Sequence, residues 1–310
     1  MYRGYDFIPH GTRIDFVGTR RVALAGSVLA MVGSILAVVF LGLNFGIDFA
    51  GGILVEARTD GAADLGALRS KLNALDVGEV ELQGVVGADN AVIIRLQQPK
   101  NTTEATQNAV LAKVRAALGG TVDIRRTELV GPKVGGELIK SGAWATGLAI
   151  LAIAAYVWFR FEWQFGLGGM LALLHDVVTT IGLFAVTRME FNLTSVAAVL
   201  TIAGYSINDS VVVYDRVREN LRKYKKMPLE DLLNLSTNET LSRTILTSGT
   251  TALVVVALLA FGGDVLWGFA VAMLWGLVAG TYSSIYIGVP VLLFFNVLRG
   301  GEGADSLKGG

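Results

Sequence analysis

Stretches of about twenty apolar residues, enough to cross roughly 30 Å of hydrocarbon, recur along most of this sequence. They predict six transmembrane helices, over 22–43, 138–159, 165–186, 194–213, 244–262 and 267–298. The first follows Arg20 and Arg21. It is longer than the roughly 7–15-residue apolar core of a cleaved signal peptide, so a retained signal-anchor helix is expected. The last is too long for one perpendicular span and contains Pro290, which predicts a kink or a frayed end.

The period changes only between the first and second runs, over 44–137. There GGILVEAR, VELQGVV, NAVIIRLQ and TVDIRRTEL alternate or are rich in β-branched residues. DLGALRSKLNAL and TEATQNAVLAKVRAAL repeat at helical spacing, with Leu65, Leu68 and Leu72 on one face. The order β–α–β–β–α–β predicts a ferredoxin-like α+β domain, the split βαβ unit. At about 90 residues it can support a modest core of its own. The reading is of a polytopic α-helical membrane protein with one ferredoxin-like domain between helices 1 and 2.

Composition supports the membrane assignment: 17% of residues are charged, against roughly 25% in soluble domains, and mean hydropathy is +0.56. Lys+Arg and Asp+Glu number 26 each, so nothing argues for nucleic acid or another polyanion as partner. The distribution of charge says more. DRVRENLRKYKKMPLEDLLNLSTNETLSR (215–243) is basic, as is the amino-terminal segment with Arg3, Arg13, Arg20 and Arg21. TRMEFNL has only Arg188, and FGGDVLW has no basic residue. Positive charge marks the cytoplasmic side, so 1–21 and a tail over 299–310 are expected in the cytoplasm and the 44–137 domain in the periplasm.

Several chemistries drop out. Cysteine is absent, which removes disulfides and thiolate chemistry. With two histidines, zinc or haem is not expected, and His10 alone lies outside the apolar runs to serve a hydrolase. No G-x-x-x-x-G-K-[ST] occurs, so nucleotide hydrolysis is not indicated. No cofactor is expected; the energy source left is a transmembrane gradient, about 2.3 kcal/mol per elementary charge per 100 mV.

Against this background the polar groups inside the apolar runs stand out. On a helix over 194–213, Thr194, Ser195, Ala198, Thr201, Tyr205, Ser206 and Asp209 share one side, with Asn208 at its margin. Val196, Leu200, Ala203, Ile207 and Val211 take the other. A charged Asp at mid-membrane costs about 2.5–3.5 kcal/mol, so Asp209 should face other helices or a wet cavity and suits a group that takes up and releases protons. A partner stripe opens the fifth run: Arg243, Thr247, Thr250 and Thr251, bordered by Thr244 and Ser248. An Asp209–Arg243 pair would gain little net stability after desolvation. Its use would be as a switch released by protonation; the alternative is that it only fixes helix register. In LLHD, His175 and Asp176 are neighbours about 100° apart, which do not both face one partner. They read as a packing hydrogen bond or a proton-relay accessory. Gly276, Gly280, Ser284 and Gly288 form a small-residue ridge that permits close helix approach.

GIDFAGG (46–52), VGPKVGGEL (130–138), LLHD (173–176), IAGYSINDSVVVYDRVREN (202–220) and LSRTILTSGTT (241–251) together resemble the SecD/SecF family of protein-export membrane proteins, within the RND superfamily of proton-driven transporters. The resemblance covers nearly the whole chain. It implies a non-enzymatic accessory of Sec protein translocation that uses the proton motive force, with SecD as sister subunit. SecYEG, YajC and translocating unfolded polypeptides are the further partners implied. The family's proton-coupling aspartate and arginine fall on Asp209 and Arg243, with Tyr205, Ser206, Asn208, Thr247, Thr250 and Thr251 as the supporting stripe. Asp215 is expected to pair with Arg216 or Arg218, and Asp48 to tie down the glycine turn of DFAGG. Rival readings are a scaffold that only stabilises SecD and the translocon, and a small RND-type solute exporter. Against the exporter, the single domain is small and six spans are half the usual set.

Overall fold

The computed structural model describes residues 12–75, 77–85, 88–97, 103–119 and 122–295. His10, the tail over 299–310 and the end of the sixth apolar run lie outside them. Among the described residues, six helices are long and apolar enough to cross a membrane. The first is α1 (Arg20–Leu41). Next in the bundle come α5 (Pro132–Arg160), α6 (Trp163–Thr187), α7 (Leu193–Lys223) and α8 (Leu229–Phe261). The sixth begins as α9 (Gly263–Ser283).

That sixth span is interrupted before Pro290. A π-helical turn at Ser284–Gly288 follows α9, then an α turn at Val289–Val291 and a 3₁₀ turn at Leu292–Phe294. Pro290 has no N–H for the carbonyl four residues back, at Tyr286, and its ring crowds that carbonyl; the wider turn absorbs both problems. The small-residue ridge of this span lies against α7. A Cβ added at Gly276 would come within 2.3 Å of Ile202 Cγ1, and one at Gly280 within 3.3 Å of Ser206 Cβ. At Gly288 it would meet the Tyr214 hydroxyl at 2.7 Å.

The fourth and fifth helices run well past their apolar stretches. The basic segment between the fourth and fifth apolar runs is a helical hairpin turning between Lys223 and Leu229. Its inner face buries Val217, Leu221, Leu232 and Leu233. Its polar groups find one another: Asn220 donates to Ser236 Oγ (3.0 Å) and Glu239 Oε2 (2.8 Å), and Arg216 pairs with Glu219 and Glu239. The chain before α1 is strapped to this hairpin. Asn238 accepts from the Ile14 N–H (2.9 Å) and donates to its carbonyl (2.8 Å), while Asn234 Oδ1 accepts from the Val17 N–H (3.0 Å). The Gly18 amide and the Asn234 side chain donate to Asp15 and hold its carboxyl below the usual range.

Between α1 and α5 the chain builds the α/β domain: β1 (Asn44–Phe45), α2 (Ile47–Ala50), β2 (Gly52–Thr59), α3 (Leu65–Asn73), β3 (Glu79–Val85), β4 (Ala88–Gln97), α4 (Glu104–Leu118) and β5 (Val122–Val130). β2–β5 form one antiparallel sheet in the order β3-β4-β2-β5. Asp64 and Thr103 cap α3 and α4. Ile53, Val55, Val92, Ile94 and Leu96 of the sheet pack with Leu72, Val114 and Leu118 of the two helices in one core. The opposite face, with Leu54, Glu56, Ile93 and Arg95, lines a cavity of about 410 Å³ against the membrane helices.

Few groups tie this domain to the bundle. Gly51 (φ +75°) and Gly52 (φ +141°) make the turn out of α2, a conformation that side chains resist. Gly135 of α5 lies so close to α2 that a Cβ there would sit 2.7 Å from the Phe49 carbonyl oxygen. Asp48, expected to hold its own turn, accepts instead from the Leu193 N–H at the start of α7 (2.9 Å). β1 pairs in parallel with β6 (Glu190–Phe191), the link between α6 and α7. Arg188 caps α1 by donating to the carbonyls of Leu41 (2.7 Å) and Gly42 (3.0 Å). Arg95 of β4 forms an ion pair with Glu190 of β6.

The approach of α9 to α7 at Gly276 leaves no room for a side chain, so Gly276→Val should overpack it at a cost of about 1–3 kcal/mol. The thermal unfolding midpoint in detergent should fall clearly below that of Gly147→Val, where an added Cβ meets no neighbouring element within 4 Å. Equal midpoints would show that Ile202 gives way freely.

Candidate intramembrane carboxyl site

Asp209 lies on α7 and is 6% exposed. Its two oxygens are held from two other helices. Thr244 Oγ1 of α8 donates to Oδ1 (2.8 Å), and Ser284 Oγ of the π-helical turn donates to Oδ2 (2.7 Å). One helical turn away on α7, Ser206 Oγ donates to Oδ2 of Asp176 on α6. Asp176 is fully buried, and the same oxygen accepts from Ser283 Oγ (2.7 Å). Its Oδ1 is 2.9 Å from His175 Nδ1.

Helix geometry explains the arrangement. Ser206 and Asp209 are three residues apart and share a face of α7. Ser283 and Ser284 are consecutive and diverge by about 100°, so one reaches toward α6 and the other toward α7. His175 and Asp176 diverge likewise. Asp176 faces Ser206 and Ser283, whereas His175 lies beside the Tyr282 ring, 5.9 Å between centroids. Tyr282 in turn donates to the Ala23 carbonyl of α1 (2.8 Å), with its hydroxyl 3.0 Å from Ser27 Oγ. A second polar bridge joins α7, α8 and α9: Tyr205 donates to Ser248 Oγ (3.0 Å), which lies 2.8 Å from Thr281 Oγ1.

The pairing of Asp209 with Arg243 takes a different form from the one expected. No ion pair joins them among the described residues: Arg243 is exposed, and the neighbouring Thr244 occupies Oδ1. Arg243 is still close enough for its charge to act on Asp209. Thr247 and Thr250 are also exposed and Thr251 is half-buried; their hydroxyls return to the α8 backbone at Arg243, Leu246 and Thr247. On α7, Thr201, Gly204 and Asn208 are exposed, whereas Ala203 and Ile207, expected on the lipid side, are buried. A helical wheel shows that polarity is one-sided but not which neighbour receives it, and α7 has neighbours on most of its circumference. The residues bordering the α8 stripe, Thr244 and Ser248, are the ones that engage. Ser283 and Thr281 were missed, and Ser284 was counted only as a small packing residue. Asp215 pairs with Arg160 (3.2 Å), while Arg216 turns to Glu219 and Glu239.

Chemically, the site offers two carboxyls: both oxygens of Asp209 and Oδ2 of Asp176 meet hydroxyls, groups that both donate and accept, and Oδ1 of Asp176 meets His175. It can therefore satisfy each carboxyl in either protonation state. Among the described residues no group of three or more His, Cys, Asp or Glu side chains gathers to hold a metal ion.

Comparison with known proteins bears on this site. A family described as "Protein export membrane protein SecD/SecF, C-terminal" matches residues 110–297, and the "SecD/SecF GG Motif" matches residues 36–63. The chain is 48% identical to the protein translocase subunit SecF of Cereibacter sphaeroides, over 97% of this chain and 95% of the relative. It is 44% identical to that of Rhodobacter capsulatus, over 96% and 93%. A crystal structure of SecDF, a translocon-associated membrane protein from Thermus thermophilus, superposes with a TM-score of 0.82 at 35% identity. That match covers 92% of this chain but 39% of the SecDF chain.

Removing one donor should expose how much of the bundle depends on Asp209. Ser284→Ala and Thr244→Val should each lower stability by about 1.5–3 kcal/mol, the range for a hydrogen bond to a charged group. Combined with Asp209→Asn, either loss should be less than additive, as expected for direct partners. Thermal or denaturant midpoints in detergent would read this, and strict additivity would show that the hydroxyls do not hold the carboxyl.

Proposed function

The chain belongs to the SecD/SecF family of protein-export membrane proteins, and from that premise we propose that it couples proton entry at Asp209 to late steps of polypeptide translocation. A role as an accessory of Sec translocation, in a multi-pass protein of the inner membrane, follows from the family itself. The proton step rests on one observation: a carboxyl buried among apolar helices and held only by hydroxyls from two of them.

Protonation of Asp209 removes the charge that makes those hydrogen bonds strong. A charge-assisted bond is roughly twice as strong as a neutral one, so α8 and the π-helical turn would both be loosened from α7. The attraction felt by Arg243 would disappear in the same event. Movement of α7 would reach the α/β domain through its amino-terminal end, where Leu193 is held by Asp48 and Glu190 by Arg95. In this reading the domain is ferredoxin-like and periplasmic, both termini are cytoplasmic, and the chain makes or breaks no covalent bond. The proton gradient is the only energy source and no cofactor takes part.

SecD is the partner subunit. The SecDF chain is far longer than this one, and the exposed polar stripe of Thr201 and Asn208 on α7 and Arg243, Thr247 and Thr250 on α8 is costly against lipid. A sister membrane domain with polar groups of its own would cover it. SecYEG, YajC and translocating unfolded chains complete the assembly in this proposal.

In membrane vesicles containing the chain with SecD and a translocating substrate, Asp209→Asn should reduce proton flux and gradient-driven export to the level of vesicles lacking both subunits, at unchanged abundance. Arg243→Leu should act in the same direction. If both variants retain full flux and export, the chain is a scaffold for SecD.

A further inference from the structure

The proton-coupling reading uses Asp209 and leaves unexplained the more deeply buried of the two carboxyls. Asp176 is fully buried on α6, and His175, 4% exposed, lies against it. Burying an anionic carboxylate and an ionisable imidazole together is expensive, and a packing contact between helices could be made by apolar side chains at less cost.

The two carboxyls are joined twice. On α7, Ser206 donates to Asp176 while Asp209, one turn further on, is itself the second carboxyl. On the sixth span, Ser283 donates to Asp176 and the next residue, Ser284, donates to Asp209. That serine pair stands where α-helix gives way to the π-helical turn at Ser284–Gly288. Such turns occur frequently at functional sites, and here the backbone hydrogen-bond pattern changes at the residues that carry the two donors. Beyond Asp209 on α7, the hydroxyls of Ser210 and Tyr214 are buried without a hydrogen-bond partner among the described residues. Polar groups thus continue from Asp176 past Asp209 toward the end of the bundle opposite the α/β domain.

Resting on the proton-coupling reading, we propose that Asp176 and His175 form a second proton-binding site, coupled to Asp209 through Ser206 and the Ser283–Ser284 pair. In the unloaded state His175 Nδ1–H donates to the Asp176 carboxylate across the 2.9 Å contact, and the pair carries one negative charge. Taking up one proton, on either partner, makes the pair net neutral; releasing it restores the charge. A proton at Asp209 changes how firmly Ser284 is held, and the shared turn passes that change to Ser283 and so to Asp176.

The titratable neighbours are few. Tyr282 of α9 lies against His175, Arg243 of α8 acts on Asp209, and Tyr205 of α7 is turned to Ser248. From α1 the cluster meets Ser27 and the Ala23 carbonyl.

The test is infrared difference spectroscopy across a pH range on the chain with SecD in proteoliposomes, alongside proton flux in the same preparations. Two carboxyl bands should change with pH, one lost in Asp176→Asn and one in Asp209→Asn. Each replacement should displace the titration midpoint of the band that remains. Flux should be lost in Asp176→Asn as it is in Asp209→Asn. Ser283→Ala keeps both carboxyls and should shrink the mutual displacement, which serves also if Asp176→Asn fails to assemble. A spectrum in which no pH-sensitive band is lost in Asp176→Asn, or midpoints that ignore one another in the wild type and in Ser283→Ala, would overturn the inference. Full flux in Asp209→Asn would sink the proton-coupling reading, and the spectra alone would then uphold or overturn the second site.

Discussion

Four helices of the bundle meet at two buried carboxyls, Asp209 and Asp176. An anionic group taken into a medium of low dielectric constant loses several kcal/mol of hydration (about that order) and must recover it from fixed donors. Asp209 recovers it from Thr244 and Ser284, and Asp176 from Ser206 and Ser283. Because those donors come from α7, α8 and the sixth span, the same bonds fix which helices are neighbours and at what height. The glycines answer to this constraint. A serine hydroxyl reaches no further than about one hydrogen bond from its own backbone, so Ser284 touches Asp209 only if the two helices approach closely. Gly276, Gly280 and Gly288 on the sixth span permit that approach.

Much of this architecture was legible in the chain because it is written in period and length. Six apolar runs became six helices, and the change of period over 44–137 became alternating strands and helices in the expected order. Pro290 marked the break in the sixth span, and the four-residue glycine spacing marked its packing face. Helix ends were less legible. Hydropathy locates the part of a helix that meets lipid, but α7 and α8 continue past it as a hairpin stabilised by Asn220, Arg216 and Glu239. Those are polar residues that a hydropathy reading assigns to a loop.

Site partners were the least legible part. Asp209 announced itself by charge, and the obvious complement in the sequence was the base that opens the polar stripe of the next apolar run, Arg243. The structure meets the need with hydroxyls instead, and physics favours that choice. A buried ion pair must desolvate two charges to satisfy one, whereas a serine or threonine supplies a donor at little cost and can turn it around when the carboxyl is protonated. Serines and threonines are common in apolar runs, so nothing in their spacing separates Ser283 and Thr244 from Thr250, whose hydroxyl serves only its own helix. The wheel placed the α8 stripe one residue away from the side that engages.

That displacement has a physical consequence of its own. The polar groups of α7 and α8 divide into an inner set, satisfied within the bundle, and an outer set of Thr201, Asn208, Arg243, Thr247 and Thr250 that is exposed. The threonine hydroxyls of the outer set return to their own helices, but Asn208 and Arg243 are costly against hydrocarbon. Arg243 belongs to that outer set and yet acts on Asp209 of the inner one. The other end of α7 meets the α/β domain through Asp48 and, at β6, through Arg95 and Glu190. One helix thus carries the carboxyl, borders the partner face and holds the domain. Any displacement of α7 is felt at all three places.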